Sequence, residues 1–118
     1  MGYRSQVVLV VNKKAWVKIA KVMDGDFELQ QLLREYSDDR QYNKAHEDRL
    51  FYWQDIKWYD SYSEISKLMA AVQESGYDNF YFMRIGEGLD DIEVDGGFWD
   101  NPFEIRCDRS IEYSFSDI

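Results

Sequence analysis

The side chains most able to do chemistry in this sequence are carboxylates concentrated in one short segment. Asp91, Glu93 and Asp95 alternate with Ile92 and Val94, a pattern typical of a strand with acids on one face and aliphatic side chains on the other. Three neighbouring carboxylates repel one another. Three interpretations fit them: a solvated edge strand, an acidic ridge that binds a basic protein, and a divalent-cation site. The segment lacks the spacing and the distal Glu of an EF-hand loop, which disfavours the cation site.

Other groups with catalytic potential are isolated from one another. His46 is the only histidine and lies in a polar stretch, so we expect it to be exposed and without a role. Cys107 is the only cysteine, which excludes an internal disulfide and fits a reducing compartment, and we expect it to be buried within a final strand. Gly86 and Gly88 indicate a turn rather than a phosphate cradle, because the charges that follow them are acidic. We therefore expect no enzyme, no cofactor and no metal.

Charge is distributed unevenly along the chain. The formal net charge is −9, and residues 86–118 account for −8 of it. A field of this sign repels nucleic-acid phosphates and anionic membranes and attracts basic protein surfaces. Residues 86–118 contain two bases and ten acids: Glu87, Asp90, Asp91, Glu93, Asp95, Asp100, Glu104, Asp108, Glu112 and Asp117.

Length and composition predict one domain over residues 1–118. With 45% hydrophobic residues, a chain of 118 residues can bury a core without disulfides or metals. No stretch resembles a signal peptide or approaches the roughly 20 apolar residues of a membrane helix. We therefore expect a cytoplasmic protein that does not bind membranes.

Hydrophobic periodicity predicts an α+β domain in the order β-α-β-α-β-β. Residues 6–11 (QVVLVV) are continuously apolar from Val7 onward, which predicts a central strand buried on both faces. Asn12 and Asp26 are expected to cap two helical segments, the second of them over 27–36, and Ser61 or Ser63 is expected to cap a third helix that ends at Gly76. Residues 37–47 are expected to form an exposed loop. The remaining strands are expected over 49–59, with a bulge or hairpin turn at 54–55, and over 80–85, 91–95 and 105–115. A ferredoxin-like variant, with two or three helices on one face of a mostly antiparallel sheet, is the nearest standard fold.

An aromatic run over residues 51–59 admits two interpretations. Phe51, Trp53 and Trp58 could stack bases or sugars, as single-strand nucleic-acid platforms do. Such platforms combine rings with basic grooves, whereas acids outnumber bases around this run. Packing in the core is the better explanation.

Three short strings resemble small phage- and prophage-encoded proteins that have no settled activity. They are the opening residues 1–5 (MGYRS), residues 56–60 (IKWYD), and residues 84–87 (RIGE) followed by acids as far as Gly97. The resemblance implies a viral accessory protein in the cytoplasm of a host bacterium. Small acidic phage proteins without catalytic residues are often inhibitors of host defence, such as anti-CRISPR proteins and anti-restriction DNA mimics. No anti-CRISPR motif is matched, so the resemblance assigns no functional residue.

The leading hypothesis is a non-enzymatic protein that binds and inhibits a host protein through an acidic surface. The partner would present a basic, nucleic-acid-binding surface, and the protein itself would not bind nucleic acid. Alternatives are a homo-oligomeric scaffold and a small-ligand binder with an aromatic pocket. The expected partner-binding residues are six acids and two apolar anchors: Glu87, Asp90, Asp91, Glu93, Asp95, Asp100, Phe98 and Trp99.

Overall fold

The computed structural model of the protein describes residues 2–107. Within them, one antiparallel sheet has the strand order β2-β3-β1-β4-β5. The strands are β1 (Ser5–Val11), β2 (Asp39–Asn43), β3 (Asp48–Ile56), β4 (Phe80–Ile85) and β5 (Ile92–Asp95). The helices are α1 (Lys13–Met23), α2 (Phe27–Arg34) and α3 (Ser63–Ser75), and a 3₁₀ turn occupies Tyr77–Asn79.

The connections make the fold a ferredoxin-like variant. The chain runs β1-α1-α2-β2-β3-α3-β4-β5, and β1 and β2 lie parallel on either side of β3 because each is antiparallel to it. β1 and β2 with the helices between them form one split β-α-β unit around β3, and β3-α3-β4 forms a second one around β1. β5 extends the sheet by one strand beyond β4, and the predicted α+β class is confirmed.

The main core lies between the helices and one face of the sheet. From β1 this face contributes Val7, Leu9 and Val11, all buried, and the helices contribute apolar side chains at helical spacing, such as Ile19 and Leu68. Most of the expected aromatic run packs here, and the indole rings of Trp53 and Trp58 lie 5.1 Å apart. The Trp53 indole N–H donates to the carbonyl of Leu32 at 2.9 Å, so this buried donor is satisfied.

The opposite face of the sheet, here called the second face, is covered by the chain that follows β5. Val10 is fully buried although it points away from the helices, and Leu50 beside it on β3 is 7% exposed. Residues 104–106 line one cleft together with Val8, Leu50 and Met83, so this segment crosses the second face. β1 is therefore apolar at nearly every position because both of its faces are covered.

Two predictions for residues 37–56 need correction. The expected loop at 37–47 contains strand β2, an edge strand whose side chains are almost all exposed. With no buried face it has no apolar alternation, so its sequence looks like a loop. The expected turn at Gln54 and Asp55 is absent, because β3 continues through them. The alternative, a bulge, is confirmed, since the pairing of β3 with β1 shifts register at this point.

Helix boundaries and the last strand also differ from expectation. Asn12 and Asp26 cap α1 and α2 as predicted, but the N-cap of α3 is Tyr62, which makes no side-chain capping bond. α2 ends at Arg34, two residues before the predicted end. Residues 105–107 are not in a strand, and residues 108–115 of the predicted last strand lie outside the described residues. In residues 2–107, no helix combines the length and apolar character needed to cross a bilayer.

Candidate functional site

The acidic segment is organised around one arginine, Arg84 on β4. Its guanidinium donates to both carboxylate oxygens of Asp91, at 2.6 and 3.2 Å, and to Glu93 at 3.0 Å. It also donates to the hydroxyl of Ser5 at 3.0 Å. The hydrogen bonds that Arg84 donates to Asp91, followed by the one that it donates to Glu93, raise the pKa of Arg84. Asp91 and Glu93 are therefore held in fixed positions and share one positive charge.

The N-terminal segment closes over the turn between β4 and β5. The Tyr3 hydroxyl donates to Asp91 at 2.5 Å and accepts from the backbone N–H of Gly88 at 2.9 Å. The next residue, Arg4, donates its backbone N–H to the Glu87 carboxylate at 2.6 Å. These bonds join parts of the chain more than 80 residues apart, so the turn is anchored at two points.

Gly86 is required by this close approach. A Cβ at position 86 would collide with the Asp91 carboxylate and the Tyr3 hydroxyl, whereas a Cβ at Gly88 would meet Asp91 at an ordinary 3.6 Å. Gly86→Ala is therefore expected to lower the free energy of unfolding by about 1–3 kcal/mol, the usual cost of overpacking. Gly88→Ala is the matched control and should change it by less than about 0.5 kcal/mol. Equal effects of the two substitutions in chemical denaturation would contradict the anchored turn.

The tip of this turn presents charge and an apolar side chain to solvent. Glu87 and Asp90 are exposed, and Leu89 between them is 84% exposed, the highest value among the large hydrophobic residues described. The Asp90 carboxylate has no hydrogen-bond or ion-pair partner within residues 2–107. The turn therefore offers carboxylates beside an uncovered leucine.

A second group of candidate residues lies at the other end of β5. Trp99 is 69% exposed and packs edge-to-face on Tyr77, with the two ring centroids 6.2 Å apart. The backbone N–H of Phe98 donates to the carbonyl of Phe80 at 3.0 Å, which fixes the start of the segment. Phe98 is half-buried and Asp100 is exposed. Of the two expected anchors, Trp99 is therefore the accessible one.

The expected ridge residues thus lie at both ends of β5 and along it. Asp91, Glu93 and Asp95 share the helix side of the hairpin, where Asp95 accepts a hydrogen bond from Gln73 of α3. The four residues of β5 span about 13 Å at 3.3 Å per residue. Sequence reasoning missed Arg84 and Tyr3, although a single charged residue in the otherwise apolar and aromatic strand 80–85 was a usable signal for Arg84.

Asp100 also influences a buried carboxyl group. Asp48 on β3 is 5% exposed. Burial and, to a smaller extent, the charge of Asp100 raise its pKa, while His46 opposes the shift. Asp48 therefore binds its proton more tightly in the folded state than in the unfolded state, and its ionisation destabilises the fold.

Asp48→Asn is accordingly expected to raise the melting temperature at neutral pH. The advantage should shrink as the pH falls through the raised folded-state pKa, because protonation then removes the charge from the wild type as well. Asp60→Asn, at an exposed carboxylate, is the control and should show no such trend. A pH-independent difference between Asp48→Asn and the wild type would contradict this explanation.

The remaining candidates for chemistry lie on the surface. His46 is exposed, as expected. Cys107 is exposed too, so the prediction of a buried thiol was wrong, because the segment at 105–107 lies over the second face without joining the sheet. No group of three His, Cys, Asp or Glu within residues 2–107 is arranged to hold a metal. The cleft on the second face, about 470 Å³, has one aromatic ring, Tyr52, in its lining.

Comparison with known proteins identifies no relative. The sequence matches no protein-family model, and no curated protein and no solved structure is significantly similar to it.

Proposed function

We propose that this protein is a non-enzymatic binding protein that docks on a basic surface of another protein. The observation that carries the proposal is the position of its two most exposed large hydrophobic side chains among the described residues. Leu89 and Trp99, 84% and 69% exposed, flank the acidic strand β5. Exposed apolar anchors surrounded by charge are typical of protein interfaces, where rings and aliphatic groups hold the complex and charge speeds association.

The region over residues 86–107 remains negative after its ion pairs with Arg84 are taken into account. Residues 86–107 contain seven acids and one base, Arg106. Arg84, which lies outside that range, offsets one of the two charges of Asp91 and Glu93. A net negative field therefore remains around Leu89 and Trp99, which favours a basic partner.

The anchoring of the carboxylates supports charge mimicry in particular. Arg84 and Tyr3 hold Asp91 and Glu93 on a rigid hairpin, so their charges are ordered before any partner binds. Duplex DNA carries about one charge per 1.7 Å of axis, and spaced carboxylates can imitate part of that array. A nucleic-acid-handling protein of a host bacterium is the proposed target. The resemblance to small phage-encoded proteins supports a host-defence inhibitor of the anti-CRISPR or anti-restriction type.

Capture from bacterial lysate tests the proposal. The wild-type protein is the bait, beside a neutralised triple variant (Glu87→Gln, Asp90→Asn, Asp100→Asn) and a control triple variant. The control carries Asp24→Asn, Glu28→Gln and Asp60→Asn at exposed acids outside residues 86–107. We expect the wild type and the control to retain a basic protein that the neutralised variant loses. Identical captured sets for all three baits would overturn the proposal.

A further inference from the structure

Arg49 on β3 has no acidic partner among residues 2–107, although the chain has 23 acids and only 14 Lys and Arg residues. Its guanidinium carbon lies 4.2 Å from the ring centre of Trp16 and 4.7 Å from that of Tyr42. Its Nε is buried and has no hydrogen-bond acceptor. Within residues 2–107 no carboxylate pairs with it. The rings hold the guanidinium in place. The buried Nε cannot reach an external ligand, but the two Nη groups form no hydrogen bond or ion pair within residues 2–107, so they are available to a carboxylate or phosphate.

The helix beside Arg49 is uniformly basic on its exposed side. α1 contains four lysines and no acid. Lys13 and Lys18 form exposed ion pairs with Glu47 and Glu74, whereas Lys14 and Lys21 pair with no acid in the described part of the chain. Val17, which lies between Lys14 and Lys21 on α1, is 45% exposed.

These elements are contiguous. Trp16, which contacts Arg49, borders one depression with Val17, Lys21, Arg34 and one acid, Asp24. We call the surface made by Lys14, Val17, Lys21, Tyr42 and Arg49 the cationic surface.

The cationic surface and the acidic hairpin belong to opposite ends of the sheet. Tyr42 and Arg49 lie on β2 and β3, whereas Glu93 and Asp95 lie on β5 at the other edge. Four interstrand spacings of about 4.8 Å separate β2 from β5, roughly 19 Å.

Asp100 lies nearer to β3, where burial and, to a smaller extent, the charge of Asp100 raise the pKa of Asp48. Asp48 faces away from the helices, however, whereas Arg49 lies on the helix side with Val11. The two surfaces of one molecule therefore face in different directions, and a contact between them needs two molecules.

We propose that the cationic surface binds the acidic end of a second copy of this chain, head to tail. Arg49 and the lysines would face the carboxylates around Asp90 and Asp100, and Val17 and Tyr42 would contact Leu89 or Trp99. The contact joins different surfaces on the two copies, so it can repeat and build chains of molecules. Head-to-tail association and the proposed function both use the acidic end of the protein. The basic partner protein and the second copy would therefore compete for that end.

Nucleic acid fits the cationic surface less well than a second copy does. Base stacking needs free ring faces, whereas the Trp16 ring contacts Arg49 and stacks on Phe51, with centroids 6.0 Å apart.

Sedimentation velocity of the intact chain provides the test. The wild type should show a sedimentation coefficient that rises with protein concentration at an ionic strength of about 0.01 M. The rise should be lost near 0.15 M, as the Debye length falls from about 30 Å to about 8 Å. Lys14→Glu with Lys21→Glu should abolish the rise, and so should Arg49→Gln. Arg106→Glu, on the second face, is the control and should leave the rise with concentration intact.

Mixing two inactive variants distinguishes head-to-tail binding from other association. The Lys14→Glu, Lys21→Glu variant keeps its acidic end, and an Asp90→Lys, Asp100→Lys variant keeps its cationic surface. Each should be monomeric alone, and together they should form a one-to-one complex that grows no further. A monomeric wild type at low salt, or no complex in the mixture, would overturn the inference. Capture of a host partner by the Lys14→Glu, Lys21→Glu variant reports on the proposed function separately, because its acidic end is unchanged.

Discussion

Val10→Asp is expected to unfold the domain. Val10 is fully buried on the second face of the central strand, opposite Leu50 of β3 and Tyr81 of β4. An aspartate there would be an unpaired carboxylate without solvent, at a cost of several kcal/mol against a typical total stability of roughly 5–15 kcal/mol. The variant should lose its cooperative thermal transition in circular dichroism or become insoluble.

Val94→Asp is the matched control for this experiment. Val94 is also a strand valine on the second face, but it is 52% exposed on the edge strand β5. Its replacement should leave a cooperative transition close to that of the wild type. A soluble Val10→Asp protein with unchanged stability would contradict the placement of β1 between two covered faces.

The parts of the fold that bury apolar side chains could be predicted from the sequence. Residues 7–11 are apolar without interruption because the helices cover one face and the chain after β5 covers most of the other. The α1 and α2 caps were identifiable because Asn12 and Asp26 precede apolar side chains at helical spacing. β2 was not predicted, because an exposed edge strand has no buried face and its sequence therefore shows no alternation of apolar and polar residues.

The sequence predicted which charged residues form the candidate site, but it did not predict the contacts that they make. Strand alternation correctly groups Asp91, Glu93 and Asp95, since all three share a side of the hairpin with Arg84 and Phe82. The pairing of Arg84 with two of these acids depends on hairpin register, and the Tyr3 contact depends on a separation of 88 residues. Neither the Arg84 pairing nor the Tyr3 contact can be predicted from the local sequence pattern.

The Arg84 pairing changes which residues make an informative variant. Neutralising Asp91 and Glu93 would leave a half-buried guanidinium without its ion pairs, so a loss of binding could arise from disordering of the hairpin. Glu87, Asp90 and Asp100 are exposed and form no ion pair within residues 2–107. Their neutralisation removes charge from the proposed interface while the Arg84 pairs remain.

The most direct test of the central claim is the association rate constant with the captured partner, measured against ionic strength. The wild type and the control triple variant (Asp24→Asn, Glu28→Gln, Asp60→Asn) should associate rapidly at low salt and slow steeply as salt screens the charges. The Glu87→Gln, Asp90→Asn, Asp100→Asn variant should associate on the order of 10²-fold more slowly at low salt and depend weakly on salt. Superimposable curves for the three proteins would show that the acidic end does not select the partner.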